Sequence, residues 1–265
     1  MIDPSCRILI DEQPGSGSWN MAVDETLLES ALESGMITVR IYRWSEPTVS
    51  LGYFQPSVAD DFRFGDVELP AVRRLSGGGA IIHHHELTYS LALPPGHRLS
   101  SDPTQVYDVV HARLIEWLND HGISASMRGE NMGGSQPDRE TFLCFSRGDR
   151  RDVLVKGRKI LGSAQRRRRG AVLQHGSLIL DRSPFAPEIE GVAEIAGIES
   201  NSLSEGEMGR AIASAMGIEN LTFSTLAETE KTRVEILQRE RYRFLDWPSR
   251  SRFEAASESF TSRQQ

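Results

Sequence analysis

Three consecutive glycines follow two arginines and a serine in residues 73–80, which read Arg-Arg-Leu-Ser-Gly-Gly-Gly-Ala. Glycine allows positive φ and close approach to a ligand, and successive backbone N–H groups can form a concavity that binds an anion or a carbonyl oxygen. The alternative is a tight hairpin turn with solvated arginines. Because no Gly-Lys-Ser/Thr follows, the segment is not a phosphate-binding P-loop. The substrate-binding candidates here are Arg74, Ser76, Gly77, Gly78, Gly79 and Ala80.

A second segment, residues 157–165, reads Gly-Arg-Lys-Ile-Leu-Gly-Ser-Ala-Gln and places Lys159 on an apolar strand among small residues. Small residues leave room for a ligand, and a desolvated lysine can donate to a developing oxyanion or lower the pKa of a neighbouring group. A solvent-facing lysine on an edge strand is the alternative. The binding candidates that accompany Lys159 are Gly162, Ser163, Ala164 and Gln165.

The chain contains only two cysteines, Cys6 and Cys144, so a disulfide framework is not expected and a cysteine-rich zinc site is excluded. Cys144 lies between aromatic residues, where a cysteine is usually a small core residue. It also lies inside a basic segment, residues 139–170, which holds 11 Lys and Arg against 3 Asp and Glu. Positive surroundings favour the thiolate, which leaves a nucleophilic role for Cys144 open.

Histidines stand out at two places in the sequence. His83, His84 and His85 are adjacent, and neighbouring residues of a strand point to opposite faces. Three in a row therefore cannot bind one ion, and no metal site is predicted. Further along, Gly176 interrupts an apolar strand, which often marks a close approach of the backbone. His175 before it is either a hydrogen-bonded core residue or part of a pocket wall.

Hydrophobic periodicity predicts the elements that position these residues. Antiparallel-looking strands with helices gathered around them indicate an α+β fold with a mixed or antiparallel sheet, rather than a doubly wound sheet. Residues 80–83 and 87–93 are predicted to pair with each other, and 152–155 to form a hairpin with 159–164. The other predicted strands are 7–11, 38–44, 48–53 and 171–180, residues 71–74 lead into the glycine turn, and the predicted helices are 19–34, 104–121, 189–195, 205–215 and 226–240.

The length of 265 residues fits one large domain or two small ones. We predict a catalytic domain at 1–220, a helical extension at 221–248 and a polar, disordered tail at 249–265.

The net charge of −7 argues against nucleic-acid binding. Without an apolar run of about 18 residues, no membrane span is predicted. The first residues lack the pattern of a secretory signal, so a cytoplasmic location is expected.

The chain resembles the biotin/lipoate protein ligase and octanoyltransferase superfamily over roughly residues 7–180. The segments that carry the resemblance are 19–25, 50–55, 73–80, 83–90, 157–165 and 174–180. Residues 240–242 and Trp247 also resemble the Tyr and Trp near the chain end of the lipoate branch. The resemblance implies a mixed β-sheet flanked by helices, with the acyl chain in a tunnel over the sheet. It adds His83, His175 and Gly176 to the substrate-binding candidates.

Two branches of this superfamily share features with the chain. Cys144 and the motif that ends at Gln165 are similar to the cysteine-dependent octanoyltransferases that load the glycine-cleavage H protein. In that branch the cysteine is the nucleophile and the lysine supports it, which implies catalytic roles for Cys144 and Lys159. The glycine turn, with Gly79 as its third glycine, instead resembles that of the ATP-dependent lipoate ligases. Arg151-Asp152 also falls where those ligases carry an Asn-Asp pair.

The octanoyltransferase resemblance implies an acyl carrier protein as the donor and a lipoyl-domain protein, such as glycine-cleavage H protein, as the acceptor. No cofactor is then needed, because a thioester is already activated. The ligase alternative requires ATP and Mg²⁺ and proceeds through lipoyl-AMP, and a third reading is an inactive homologue that binds lipoyl domains. Because carrier proteins are acidic, the basic island of Arg147, Arg150, Arg151 and the four arginines 166–169 is either a docking patch or a solvated charge run.

Overall fold

The computed structural model describes residues 5–56, 62–129 and 148–247, so Cys144 and the predicted tail lie outside the described residues. No helix in the described ranges combines the length and apolar character that a membrane crossing requires. In chain order, the elements are β1 (Cys6–Ile10), α1 (Gly17–Ser34), β2 (Ile37–Tyr42), β3 (Thr48–Leu51), β4 (Arg63–Phe64), β5 (Val67–Glu68), β6 (Ala71–Arg73), β7 (Ile81–His83), β8 (Glu86–Leu93), α2 (Pro103–Asp120), β9 (Ala125–Met127), β10 (Val153–Val155), β11 (Arg158–Arg168), β12 (Ala171–Ile179), α3 (Val192–Ala196), α4 (Glu205–Ser214), β13 (Leu221–Ser224) and α5 (Glu228–Leu237).

A mixed sheet of eight strands forms the centre of the molecule, in the order β13-β1-β2-β8-β12-β11-β10-β9. Strand β1 runs parallel to both of its neighbours, and the remaining pairs are antiparallel. A smaller sheet, β6-β3-β7, carries the glycine turn between β6 and β7. The predicted α+β class with a mixed sheet is confirmed.

The two faces of the large sheet build separate hydrophobic cores. Along β2, Val39 and Ile41 belong to one core and Tyr42 to the other, and along β12 the neighbours Val172 and Leu173 divide in the same way. This alternation follows from the two-residue period of a strand. Helices α2 and α4 cover the first face, and α1 and α5 cover the second. Strands β8 and β12 are buried along their whole length, so they can present polar groups away from bulk water.

Local signals fix the ends of the two long helices. Helix α1 begins after Ser16, whose side chain accepts a hydrogen bond from the Trp19 N–H. It ends at Ser34, in agreement with the predicted helix 19–34, and is capped by Gly35, which has a φ of 72°. Helix α2 begins after Asp102, whose carboxylate accepts a hydrogen bond from the Thr104 N–H. Helix α1 carries two buried carboxylates, Asp24 and Glu25, toward the sheet.

The predicted pairing of 80–83 with 87–93 is wrong. Strand β7 pairs with β3 in the small sheet, whereas β8 lies between β2 and β12 in the large one. Because β8 is buried throughout and both of its edges are hydrogen-bonded to long strands, no edge remains for β7. The predicted hairpin of β10 with β11 is confirmed.

The segment from residue 221 onward begins with a strand rather than a helix. Strand β13 pairs in parallel with β1 at the edge of the large sheet, and α5 then packs against α1. The sequence missed β13 because four residues are too few to establish a period. Strand β9 is likewise absent from the predicted strands.

Candidate functional site

A cavity of about 510 Å³ lies between the glycine turn and the strands β8, β11 and β12. Of the sequence candidates, it is lined by Arg74, Gly77, Gly78, Gly79, His83, Lys159, Gly162, Ser163, Ala164, Gln165, His175 and Gly176. Ser76 and Ala80 do not line it: Ser76 is buried behind the turn, and Ala80 belongs to the core around Val49 and Leu51. The geometry thus brings together candidates that are up to about a hundred residues apart in sequence.

Arg74 shapes the glycine turn from inside the protein. Its guanidinium donates to the carbonyl oxygens of Ser50 at 2.7 Å, Gly77 at 2.8 Å and Gly79 at 2.7 Å. Only 2% of Arg74 is exposed, which excludes the solvated-arginine interpretation. Gly78 has a φ of 95°, a conformation that favours glycine. A fixed turn of this kind is suited to holding a polar group of a substrate.

His175 connects the turn to helix α1. Its Nε2 is hydrogen-bonded to Ser76 Oγ, and its Nδ1 lies 3.0 Å from Asp24 Oδ2. Burial raises the pKa of Asp24, but the hydrogen bond with His175 and the charge of Arg40 hold that pKa below its usual range. The ionised carboxylate therefore accepts the Nδ1–H of His175 and fixes the orientation of the ring. His175 is part of the cavity wall and is also hydrogen-bonded, so both interpretations of this residue apply.

Lys159 points into the protein, and 11% of its side chain is exposed. Its Nζ lies 2.9 Å from Asp152 Oδ1. A Cβ at Gly162 would lie 2.8 Å from Lys159 Cε, so glycine at this position makes room for the lysine. Burial raises the pKa of the Asp152 carboxyl although Lys159 acts in the opposite direction. The interpretation of Lys159 as a solvent-facing edge residue is wrong.

The outer edge of β11 opens onto the cavity just beyond Lys159. Strand β10 pairs with β11 only as far as Leu161. Within the described residues, no strand covers that edge at 162–164, which line the cavity. Backbone groups there are placed to meet a substrate carbonyl. A Cβ at Gly176 on the neighbouring β12 would lie 2.3 Å from Ser163 Oγ, so only glycine leaves the Ser163 side chain in place.

Of the three adjacent histidines, His84 and His85 stack on each other with ring centroids 3.5 Å apart, whereas His83 has other partners. His83 stacks on Trp44 at 3.9 Å, and its Nδ1 lies 2.8 Å from Glu86 Oε1. Burial raises the pKa of Glu86, but contacts with His83, Thr88 and Ser177 hold it below its usual range. His84 is hydrogen-bonded instead to Ser183. Over the described part of the chain, no three His, Cys, Asp or Glu side chains converge into a metal-binding group.

A chain of polar side chains runs beneath the cavity, and sequence reasoning missed most of it. Gln165 Nε2 lies 2.7 Å from Gln174 Oε1, and Gln174 Nε2 lies 2.7 Å from Tyr89 Oη. Tyr89 Oη lies 2.8 Å from Ser163 Oγ, which lies 2.7 Å from His111 Nε2. His111 is on the apolar face of α2, where an isolated polar residue was the available signal.

The arginines of residues 166–169 are only partly available to a partner. Arg168 binds Glu25 at 2.7 Å, and Arg166 lies over the ring of Tyr53 at 4.5 Å. Arg167 donates to the carbonyl oxygen of Ser100, although its side chain is largely exposed. Three of the four arginine side chains in this segment therefore make contacts within the protein.

Comparison with known proteins agrees with this architecture. The lipoyl protein ligase A/B catalytic domain family matches residues 16–196. Octanoyltransferase LipM of Brevibacillus brevis is 32% identical, with 88% of this chain and 94% of that protein covered. LipM of Bacillus subtilis is 35% identical over 180 residues, with 65% and 64% covered.

Among solved structures, lipoate-protein ligase A bound with ATP superposes with a TM-score of 0.68 at 22% identity, covering 93% of this chain and 98% of that one. A bi-partite lipoate protein ligase from Thermoplasma acidophilum gives 0.64 at 21% identity, covering 92% and 96%. At these identities the structural matches establish the fold. The cavity between the glycine turn and β11 lies within this fold. The chain is therefore a member of the lipoyl protein ligase A/B catalytic domain family.

Proposed function

We propose that the protein transfers an octanoyl group to a lysine of a lipoyl-bearing protein, through a thioester on Cys144, in lipoate biosynthesis. The observation that carries the proposal is Lys159, with its side chain only 11% exposed, beside a cavity that lies between the glycine turn and the edge of β11 that no strand of the described residues covers. The relatives named octanoyltransferase LipM support the choice of reaction.

The resemblance to the cysteine-dependent octanoyltransferases supports the assignment of Cys144 as nucleophile. Gly148 lines the cavity, and Cys144 precedes it by four residues. The charge of Lys159 at the same wall would favour the thiolate.

The reaction has two half-reactions. In the first, the Cys144 thiolate attacks the carbonyl carbon of octanoyl thioester, and the carrier thiolate leaves. The Lys159 ammonium and those backbone N–H groups of 162–164 that point away from β12 stabilise the oxyanion. In the second, the ε-amine of the acceptor lysine attacks the acyl-Cys144, loses a proton, and displaces the Cys144 thiolate to form an amide. The thioester supplies the activation, so this route needs no cofactor.

The partners of the two half-reactions follow from this chemistry. We propose that acyl carrier protein is the acyl donor and that a lipoyl domain is the acceptor. Glycine-cleavage H protein is the first acceptor to test. Arg167 and Arg169, the exposed arginines of residues 166–169, are the part of that segment best placed to meet an acidic carrier.

ATP-dependent ligation is the second candidate. A Cβ on Gly77 would meet no atom within 4 Å, so this part of the turn has room for a phosphate group. In that reaction the turn and Lys159 would hold an acyl-adenylate with Mg²⁺, and Cys144 would not be acylated.

Cys144→Ser separates the two candidates. With octanoyl carrier protein and a lipoyl domain, wild type should acquire an adduct of about 126 Da on Cys144, the mass of one octanoyl group, and then octanoylate the acceptor. The variant should do neither. Cys6→Ala is the matched control, because Cys6 is buried in β1 and burial raises its pKa to about 11. ATP-dependent lipoylation by Cys144→Ser, or wild type that transfers nothing from the carrier, would overturn the proposal.

A further inference from the structure

We infer that His111 is a positioning residue for the second half-reaction: it holds the Ser163 hydroxyl so that its oxygen accepts a hydrogen bond from the amine of the acceptor lysine. The inference rests on the proposed function. It follows from the chain of side chains beneath the cavity, which begins at Gln165 and ends at a backbone carbonyl of the loop before β10.

The direction of the hydrogen bonds is set at the last link. His111 Nδ1 lies 2.6 Å from the carbonyl oxygen of Arg151, and a carbonyl can only accept, so Nδ1 carries the hydrogen. Burial lowers the pKa of His111 to about 4, which leaves the ring neutral near pH 7. Nε2 then has a lone pair and no hydrogen, and the Ser163 hydroxyl must donate to it.

The other hydrogen bonds, from Gln165 to Ser163, must run in the same direction. Because Ser163 gives its only hydrogen to His111, Tyr89 must donate to Ser163 Oγ. The Tyr89 oxygen then accepts from the amide of Gln174, which in turn accepts from the amide of Gln165. All five hydrogen bonds point from Gln165 toward Arg151, and one residue, His111, decides their direction.

This direction determines what Ser163 can recognise. Its hydrogen is committed to His111 and one lone pair to Tyr89, which leaves one lone pair within the described structure. Ser163 lines the cavity, so it presents an acceptor there. An oxyanion or carbonyl oxygen at that point would be repelled, whereas an N–H group would be bound. The substrate group of matching chemistry is the primary amine of the acceptor lysine.

The inference separates the half-reactions experimentally. Acyl-enzyme formation is measured by the mass of Cys144 after mixing with octanoyl carrier protein, and deacylation by adding a lipoyl domain to preformed acyl-enzyme. His111→Leu should leave the first rate within about twofold and lower the second, at limiting acceptor, by roughly tenfold, the effect of losing one oriented hydrogen bond. Ser163→Ala should show the same defect, and the double variant should add little to it.

His111→Gln is the conservative variant, because its side-chain oxygen can accept the Ser163 hydrogen bond. It should recover deacylation to within about threefold of wild type. His121→Leu is the matched control on the same helix, where His121 lies at the C-terminal end and away from the cavity. Thermal melting of every variant reports folding, and Ser163→Ala stands in for His111→Leu if the latter does not fold.

A His111→Leu protein that slows both half-reactions equally, or a His111→Gln protein that deacylates no faster than His111→Leu, would overturn the assignment. So would normal deacylation by Ser163→Ala. Wild type that forms no acyl-Cys144 would instead overturn the proposed function, and with it the inference. Normal transfer by wild type and by His111→Leu removes only the role of His111.

Discussion

Replacing His111 with glutamine should remove a specific pH dependence from the stability of the protein. His111, on α2, is buried against β11 and the loop before β10, and burial lowers its pKa to about 4. An unfolded histidine has a pKa of about 6.5. Between these values the unfolded chain binds a proton at residue 111 that the folded protein does not bind. The free energy of unfolding must therefore fall as the pH falls from 7 toward 4.

The magnitude follows from the two pKa values. The whole difference corresponds to about 3 kcal/mol, of which about 2 kcal/mol is expressed between pH 7 and pH 5. The nearby charges are Asp108 on α2 and Asp149 and Arg151 before β10, and all three remain in the variant. Loss of the hydrogen bond to the Arg151 carbonyl shifts the whole curve by about 1 kcal/mol without adding pH dependence.

Urea unfolding followed by tryptophan fluorescence at pH 7, 6 and 5 measures the effect. Wild type should lose about 2 kcal/mol more than His111→Gln between pH 7 and pH 5. The difference between the proteins should then level off below about pH 4, where folded His111 is also protonated. Parallel curves for the two proteins would show that folded His111 titrates normally. The hydrogen-bond direction derived for Ser163 would then lose its support.

Three further substitutions test the framework of the site. Tyr242→Phe removes the hydrogen bond to the buried Glu25 at 2.8 Å and should lower the free energy of unfolding by about 1 to 2 kcal/mol in urea titrations, with no change in acylation rate. Gly176→Ala places a Cβ 2.3 Å from Ser163 Oγ and should slow deacylation at least tenfold, whereas normal single-turnover kinetics would contradict the close approach. Arg74→Lys cannot satisfy the same carbonyls and should lower kcat/KM for the octanoyl donor by roughly a hundredfold; a loss below threefold would mean that the turn keeps its shape without the guanidinium.

Much of the site could be predicted because its signals are local. The glycine turn and residues 157–165 concentrate unusual residue types within a few positions, and both segments line the cavity. Strand and helix periods were also readable, since alternation along β2 or β12 reflects which face each side chain occupies. Assignment of Cys144 stays a prediction from the sequence, as it lies outside the described residues.

The sequence by itself determined the α+β class and the parts of the cavity wall in residues 74–79 and 159–165, because each depends on neighbours within a few positions. The tertiary structure decided which of these side chains contact each other. Asp24, Ser76 and His175 form one hydrogen-bonded line across 151 residues of sequence separation. His111 and Ser163 meet only because α2 covers the face from which β11 projects that serine. Periodicity identifies a face, but strand order sets its neighbours, and strand order follows from burying β8 and β12 at the centre of the sheet.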